Sequence, residues 1–275
     1  MKRSIHIVDK AGTVRKSESL ALPIYSVIKP MIARVVIELG IDLDAPVNTW
    51  IGSQWLSHPT IQVKHLLNHS SGLRDYGHLP QYKNAIAASR RVWSDEEFAR
   101  HTLLKPLLFE PGTGFSYSNP GYWLLTRIIE NQTGLTLAQA LASRLFTPLG
   151  MHSARLVTGQ FDDTLHWYPA EWVWHGLVIA DTMDLVRFMR SLPENDHMMN
   201  ARAVPPQPPW IDPHYGNGLM IEPGVRFGHN GTGPGFSASC FRSLESGFCG
   251  AVIMESETQD AAMHALLPEL VPLSA

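Results

Sequence analysis

The sequence predicts an α+β fold in which an antiparallel sheet, flanked by helices, is assembled from both chain ends around a mostly helical insertion. Strand-like apolar runs occur at residues 4–8 near the start and at residues 236–242 and 248–255 near the end. Between them, apolar residues recur at the three- and four-residue steps of amphipathic helices. This order of patterns fits an antiparallel sheet assembled from both chain ends, with a helical insertion between them.

Proline residues mark the boundary between the two kinds of pattern. After Pro193 the helical spacing ends, and a proline-rich loop at residues 205–209 precedes the hairpin signals. We therefore assign residues 1–25 and 193–275 to a sheet-containing part and residues 26–192 to a mostly helical part. A functional cleft is expected where the two parts meet.

The first predicted elements are a strand at residues 4–8, a turn at residues 10–13 and a weaker return strand from Val14. Residues 26–39 then carry apolar side chains on one helical face, and Gly40 ends that helix. The first predicted helix thus begins where the first chemical motif lies.

Local signals place the remaining helices. Ser94 and Glu97 have the spacing of a capping box, and Asn119-Pro120 places proline in a first helical turn. The predicted helices after the first are residues 60–67, 94–104, 119–134, 136–146, 181–192 and 258–267.

Composition excludes several classes of protein. Hydrophobic residues make up 44% of the 275 residues, which excludes disorder as the main state. The net charge is −3 without a basic cluster, so no nucleic-acid partner is expected, and no apolar run is long enough to span a membrane. Cys240 and Cys249 are too few for a disulfide framework. The first 19 residues lack an apolar signal-peptide core, so we expect a cytoplasmic protein.

The first candidate catalytic motif is Ser26-Val27-Ile28-Lys29 at the start of a predicted helix. Residues three apart lie on the same helical face, so the hydroxyl and the amine are within reach of each other. A serine hydroxyl needs a neighbouring base to become nucleophilic, and lysine is such a base only when it is neutral. Alone, the motif also fits a helix cap with an exposed lysine.

Tyr117-Ser118-Asn119 follows a proline–glycine loop and precedes a helix. Tyr117 is a candidate proton carrier, and Asn119 offers a donor and an acceptor to a substrate amide. A turn with a helix cap explains the same string without chemistry.

His229-Asn230-Gly231, followed by Thr232, lies just before a predicted strand. Glycine at this place permits close approach of a ligand to the backbone. Asn-Gly is also a strong hairpin signal, so a simple turn is the alternative.

Together these strings resemble the S-x-x-K, Y-x-N and K-T-G-like elements of the penicillin-recognising serine hydrolases. Segments such as VKHLLNHSSGLRDYG and FGHNGTGPGF resemble family signatures in the same order over most of the chain. The resemblance is closest to the class C β-lactamase-like family, which also includes carboxylesterases, D-stereospecific aminopeptidases and DD-peptidases. It implies a β-lactamase/transpeptidase-like fold, an α/β sandwich plus a helical domain.

The resemblance also implies roles for individual residues. Ser26 attacks a carbonyl and is acylated, while Lys29 and Tyr117 share the proton transfers. Asn119 positions Lys29 and the substrate, and the backbone N–H groups of Ser26 and Thr232 form the oxyanion hole. Water then hydrolyses the acyl-enzyme, and the mechanism requires neither a metal nor an organic cofactor.

His229 stands where many members of that family have lysine, and histidine is mostly uncharged near neutral pH. Because a fixed cation for a substrate carboxylate is missing, we expect a carboxylesterase-type hydrolase of small-molecule esters or amides. The alternatives are a D-amino-acid peptidase or amidase, a β-lactamase of the same family, and a non-catalytic binding protein that retains the fold.

Few residues precede the motif in this sequence compared with that family. A smaller sheet would leave an edge strand uncovered, and such an edge invites pairing with a second copy. A homodimer is therefore predicted.

Residues 166–175 contain Trp167, Trp172 and Trp174 within an unusually aromatic segment. Trp172 and Trp174 are candidates for lining an apolar substrate pocket. The alternative is that they seal the junction between the two parts of the molecule.

His65 and His69 are four residues apart, the spacing of a helical metal-binding pair. The string HLLNH lacks the glutamate of H-E-x-x-H, and no third ligand is evident. A metal-dependent hydrolase is therefore not favoured.

Overall fold

The computed structural model describes residues 2–88, 91–159, 168–194, 197–256 and 258–271. Two antiparallel sheets organise the described chain. The strands are β1 (Arg3–Val8), β2 (Val14–Glu18), β3 (Leu22–Pro23), β4 (Arg155–Val157), β5 (Leu177–Ala180), β6 (Arg202–Ala203), β7 (His214–Tyr215), β8 (Met220–Glu222), β9 (Arg226–Gly233), β10 (Phe236–Ser243) and β11 (Cys249–Glu255).

The main sheet joins the two ends of the chain, which confirms the predicted fold. Its strand order is β2-β1-β11-β10-β9-β8-β7-β6, and every neighbouring pair is antiparallel. Strand β1 pairs with β11 from Arg3 opposite Met254 to Val8 opposite Cys249. A smaller sheet of order β3-β5-β4 lies beside the helical part.

The helices of the described residues follow the predicted order with two additions. Helices α2 and α4 were not predicted. The α-helices are α1 (Lys29–Glu38), α2 (Asn48–Ile51), α3 (Val63–Leu67), α4 (Pro80–Ala87), α5 (Asp95–His101), α6 (Asn119–Thr133), α7 (Leu137–Leu141), α8 (Thr182–Ser191) and α9 (Ala261–Leu266).

Local capping signals were accurate. Ser94 caps α5 in a capping box with Glu97, and α6 begins at Asn119 with proline in its first turn and ends at Gly134, whose φ is 67°. These signals succeed because their hydrogen bonds are made within a few residues.

Helices cover both faces of the main sheet because its central strands alternate apolar side chains between the faces. Ile5, Ile7 and Phe241 pack with α9 on one face. Helix α8 packs on the other face, where the Cys240 thiol contacts the Leu185 carbonyl oxygen at 3.4 Å.

The predicted division of the chain stays a prediction, and the packing of α8 bears on where the boundary lies. Residues 26–192 were assigned to the helical part, but α8 (Thr182–Ser191) lies against β1, β10 and β11 of the main sheet. The spacing of its apolar residues predicts a helix, whereas the surface on which it packs depends on contacts between distant residues, such as Leu185 and Cys240, 55 positions apart. We propose that the sheet-containing part begins near Asp181.

Strand β2 forms one edge of the main sheet, and four of its five residues are exposed. The homodimer stays a prediction. An exposed edge strand of this kind offers unpaired backbone groups to a second copy of the chain. None of the helices in the described ranges has both the length and the apolar composition that a membrane crossing needs.

Candidate active site

Ser26 lies in a short 3-10 turn, Tyr25–Ile28, that leads directly into α1. Tyr25, the preceding residue, has φ of 44°, a strained value for a residue with a side chain. The Tyr25 hydroxyl donates a 2.5 Å hydrogen bond to the carbonyl oxygen of Pro234. This contact anchors the turn that contains Ser26 to the loop between β9 and β10.

Lys29 is the first residue of α1, and its side chain is fully buried. Its Nζ lies 2.9 Å from Ser26 Oγ, 2.7 Å from Asn119 Oδ1 and 3.2 Å from His175 Nε2. Burial lowers the pKa of Lys29 well below its ordinary value, and Asp75 opposes this only in part. Burial therefore favours the neutral amine, the form that accepts a proton.

Tyr117 lies in the loop just before α6, and it lines the same cavity as Ser26. The Nζ of Lys29 is 5.0 Å from the centre of its ring. Burial raises the pKa of Tyr117, since it disfavours the phenolate. The same burial thus favours an uncharged base at Lys29 and a protonated phenol at Tyr117.

Asn119 is held at the start of α6 by an acidic side chain. Its backbone N–H donates to Asp75 Oδ1 at 2.9 Å, and Asp75 Oδ2 accepts from the N–H of Gly77 at 3.1 Å. The Asn119 side-chain oxygen is thereby directed at Lys29.

Strand β9 closes the site from the sheet side. A β-carbon on Gly231 would lie 2.8 Å from the backbone nitrogen of Ser26, and closer still to the carbonyl oxygen of Ile24. Only glycine allows this approach, which brings the backbone of β9 beside the turn that contains Ser26. A larger and a smaller cavity meet at this place. Thr232, Ser26 and Asn119 line both of them.

The larger cavity is an open cleft of about 870 Å³ between the sheet and the helical part, lined by Ser26, Tyr117, Asn119, His229, Gly231 and Thr232 among others. Asp75 and Asp260 also line it, and none of the described lining residues is lysine or arginine. The structure thus brings the residues of all three motifs to one opening.

Comparison with known proteins now decides the family. The Beta-lactamase family model matches residues 6–271, nearly the whole chain. The chain belongs to the Beta-lactamase family. The resemblance inferred from the three motifs is confirmed.

Two curated relatives are similar to this chain in sequence, and one solved structure is similar to it in fold. A D-aminopeptidase of Cereibacter sphaeroides is 29% identical over 238 residues, covering 78% of this chain and 45% of that protein. A D-aminopeptidase of Brucella ovis is 30% identical over 230 residues, covering 74% and 44%. The chain thus spans less than half the length of these relatives. A D-stereospecific amidohydrolase from Streptomyces sp. has TM-score 0.79 at 21% identity, covering 94% of this chain and 90% of that one.

A buried chain of hydrogen bonds runs beside the cleft of this Beta-lactamase family member and includes two of its lining residues, Tyr215 and His229. Ser118 donates its N–H to His69 Nδ1 (3.1 Å), and His69 Nε2 lies 3.2 Å from the Tyr215 hydroxyl. That hydroxyl is 2.8 Å from His229 Nε2, and His229 Nδ1 contacts the carbonyl oxygen of Asn230. Because the carbonyl only accepts, His229 Nδ1 donates, and Nε2 accepts from Tyr215.

Burial, reinforced by nearby Lys29, lowers the pKa of His229 to about 3. His229 is therefore neutral at neutral pH and offers no fixed positive charge, as the sequence predicted for histidine at this position. Both of its ring nitrogens already have partners within the chain.

Sequence reasoning missed Tyr215, His175 and the position of His69. The sequence marks His69 only as half of a candidate metal-binding pair. In the structure, His69 Nδ1 accepts the N–H of Ser118, the residue after Tyr117. His65 Nδ1 accepts the N–H of Gln62 at the cap of α3. No local sequence pattern marks Tyr215, because the strand in which it lies, β7, is only two residues long.

The structure places Trp172 and Trp174 away from the cleft, with the aromatic core. Trp172 is buried against Tyr82 and Trp93, while the Trp174 ring stacks on Phe98 with centroids 4.1 Å apart. Neither lines the described part of the two cavities, because aromatic partners from α4 and α5 enclose them. Trp167 lies outside the described residues.

We predict that Gly231→Ala lowers the free energy of unfolding by about 1–3 kcal/mol and slows covalent labelling of Ser26, because the new methyl group overlaps the turn that contains Ser26. Urea unfolding and the rate of covalent labelling measure the two effects. Gly121→Ala in α6 is the matched control, since its β-carbon would make an ordinary 3.6 Å contact with Leu66. Equal behaviour of the two variants would contradict the close approach of β9.

Proposed function

We propose that this chain is a serine hydrolase that works through an acyl-enzyme intermediate. The observation that carries the proposal is the 2.9 Å separation of Ser26 Oγ from the Nζ of a fully buried lysine, at the edge of an open cleft. A neutral amine beside a hydroxyl is the arrangement that activates a serine nucleophile. Membership of the Beta-lactamase family supports the same reaction class.

Protons move between Lys29 and Tyr117 in the proposed reaction. Ser26 Oγ bonds to the substrate carbonyl carbon while Lys29 takes the hydroxyl proton and becomes an ammonium. When the carbon–nitrogen bond breaks, the phenol of Tyr117 protonates the leaving nitrogen and regains a proton from Lys29. The opposite pKa shifts of these two groups support Lys29 as the base and Tyr117 as the acid.

In this proposal, the negatively charged oxygen of the tetrahedral intermediate accepts hydrogen bonds from the backbone N–H groups of Ser26 and Thr232. The first lies at the start of a helical segment and the second in β9, which Gly231 brings against that segment. One such donor contributes roughly 100- to 1000-fold to the rate. Water then releases the acid and restores Ser26.

The substrate class we propose is the amide of a D-amino acid with a free amino group, rather than the simple ester that the sequence favoured. The curated relatives named above are D-aminopeptidases. The charged lining residues Asp75 and Asp260 are both acidic, which suits a substrate ammonium. No comparable observation favours an ester.

Hydrolysis of β-lactams has less support in the same cleft. The carboxylate of such substrates requires a positive group, but burial keeps His229 neutral and no described lining residue is lysine or arginine. We therefore rank β-lactams below amino-acid amides.

The test compares matched substrates on the full chain: D-alanine 4-nitroanilide, its L enantiomer, the N-acetylated D compound, 4-nitrophenyl acetate and a chromogenic cephalosporin. We expect kcat/KM to be highest for the free D-anilide and at least about tenfold lower after acetylation, which removes the ammonium. Asp260→Asn should reduce this discrimination, since asparagine also tolerates the φ of 58° at that position.

Other outcomes would redirect the proposal. Preference for the acetate ester, with the D-anilide inert, would restore the carboxylesterase interpretation. Absence of turnover and of fluorophosphonate labelling by the folded protein would favour the non-catalytic binding protein.

A further inference from the structure

One buried imidazole lies beside the proposed catalytic cluster without belonging to any of the three motifs. His175 precedes β5, is 3% exposed, and has Nε2 3.2 Å from Lys29 Nζ. Its other nitrogen, Nδ1, is buried without a hydrogen-bond partner among the described residues. An unsatisfied buried nitrogen destabilises a fold, so packing alone does not explain a histidine here.

The contacts of Lys29 define what His175 must do. A neutral amine has two N–H donors and one lone pair. The oxygen of Asn119 only accepts, so it takes one N–H at 2.7 Å. If Lys29 is to receive the Ser26 proton, its lone pair faces Ser26 Oγ, and the second N–H is left for His175 Nε2.

We propose that His175 is a positioning residue: its Nε2 accepts an N–H of Lys29 and thereby turns the amine lone pair toward Ser26. This inference rests on the proposed function, in which Lys29 is the base. It requires the tautomer with the proton on Nδ1. The opposite tautomer would donate from Nε2 into the lone pair of Lys29 and compete with Ser26 for it.

The surroundings of His175 suit an acceptor. Burial is the main cause that lowers the pKa of His175 well below its ordinary value, and the nearby Lys29 is the second cause. The ring is therefore neutral, and one of its nitrogens keeps its lone pair. After Lys29 takes the serine proton, the same lone pair accepts an N–H of the ammonium. His175 thus holds the amine in both protonation states.

The kinetic test uses a fluorophosphonate probe, whose reaction with Ser26 does not depend on knowing the natural substrate. We expect His175→Phe to label at least tenfold more slowly than wild type. His175→Gln should recover part of the rate, because its amide oxygen can accept from Nζ. The exposed His197→Phe is the control and should label at the wild-type rate.

The spectroscopic test reads the tautomer in the wild-type protein. In protein labelled with ¹⁵N-histidine, the resonance pair that disappears in either His175 variant belongs to His175. We expect a neutral ring with its proton on Nδ1. A proton on Nε2, wild-type labelling by His175→Phe, or equal losses in the phenylalanine and glutamine variants would overturn the inference. If His175→Phe does not fold, the glutamine variant and the tautomer decide.

Failure of the proposed function would look different. In that case wild type itself would not react with the probe. A labelled wild type with an unaffected His175→Phe would overturn only the role of His175.

Discussion

Ser26→Ala is expected to abolish covalent labelling by a fluorophosphonate and to lower hydrolysis at least about 10⁴-fold, because no other hydroxyl replaces the attacking oxygen. The fold should persist, since Ser26 is only partly buried and its loss opens no apolar cavity. Intact mass spectrometry after incubation with the probe measures the adduct, and the initial rate on the best substrate of the panel measures turnover.

Ser143→Ala is the matched control for this variant. Ser143 is an exposed serine whose hydroxyl donates to the carbonyl oxygen of Gln139 at 2.8 Å, outside the residues that line the cleft. It should label and turn over like wild type. An adduct that persists in Ser26→Ala would place the nucleophile elsewhere and contradict the site.

Lys29→Met is expected to lower kcat at least about 10³-fold, since methionine fills the buried space but cannot take the serine proton. Its effect on stability should depend on pH with a defined sign. In the native protein the pKa of Lys29 is lowered, so between that value and the ordinary lysine pKa the unfolded chain binds one proton more than the native chain. Stability then rises with pH through this interval and is lost as pH falls.

Urea unfolding at several pH values from 8 to 9.5 measures this difference. The free energy of unfolding of wild type should rise with pH relative to that of Lys29→Met, by at most about 1.4 kcal/mol per pH unit for one proton. Lys83→Met, an exposed position in α4, should retain the wild-type dependence. Parallel curves for wild type and Lys29→Met would mean that the native lysine keeps its proton, and the proposed base would then be wrong.

The parts of the fold that depend on neighbouring residues could be predicted from the sequence. The capping box at Ser94, the Asn119-Pro120 helix start and the left-handed Gly134 all form hydrogen bonds within a few positions. Strand β5, by contrast, is a fully buried four-residue run, and its pairing with β3 and β4 comes from distant segments. A short apolar run does not distinguish strand from helix, so this sheet was missed.

The candidate site divides in the same way. Ser26 and Lys29 are on one helical face by their spacing, and the motifs identified Tyr117, Asn119 and Gly231. Tyr215 and His175 carry no local signal, because strands and turns far apart in sequence deliver them to the cluster. Trp172 and Trp174 show the converse. They form a conspicuous local pattern, but in the structure they belong to the aromatic core, where they pack against Tyr82 and Phe98.

By itself, the sequence determined which chemical groups are present, the spacing that pairs Ser26 with Lys29, and the sheet made from both chain ends. Only the tertiary structure decided that Lys29 is fully buried and that His229 has both ring nitrogens engaged. The physical reason is that proton affinity depends on burial and on charges within a few ångströms, and residues from the whole length of the chain supply both.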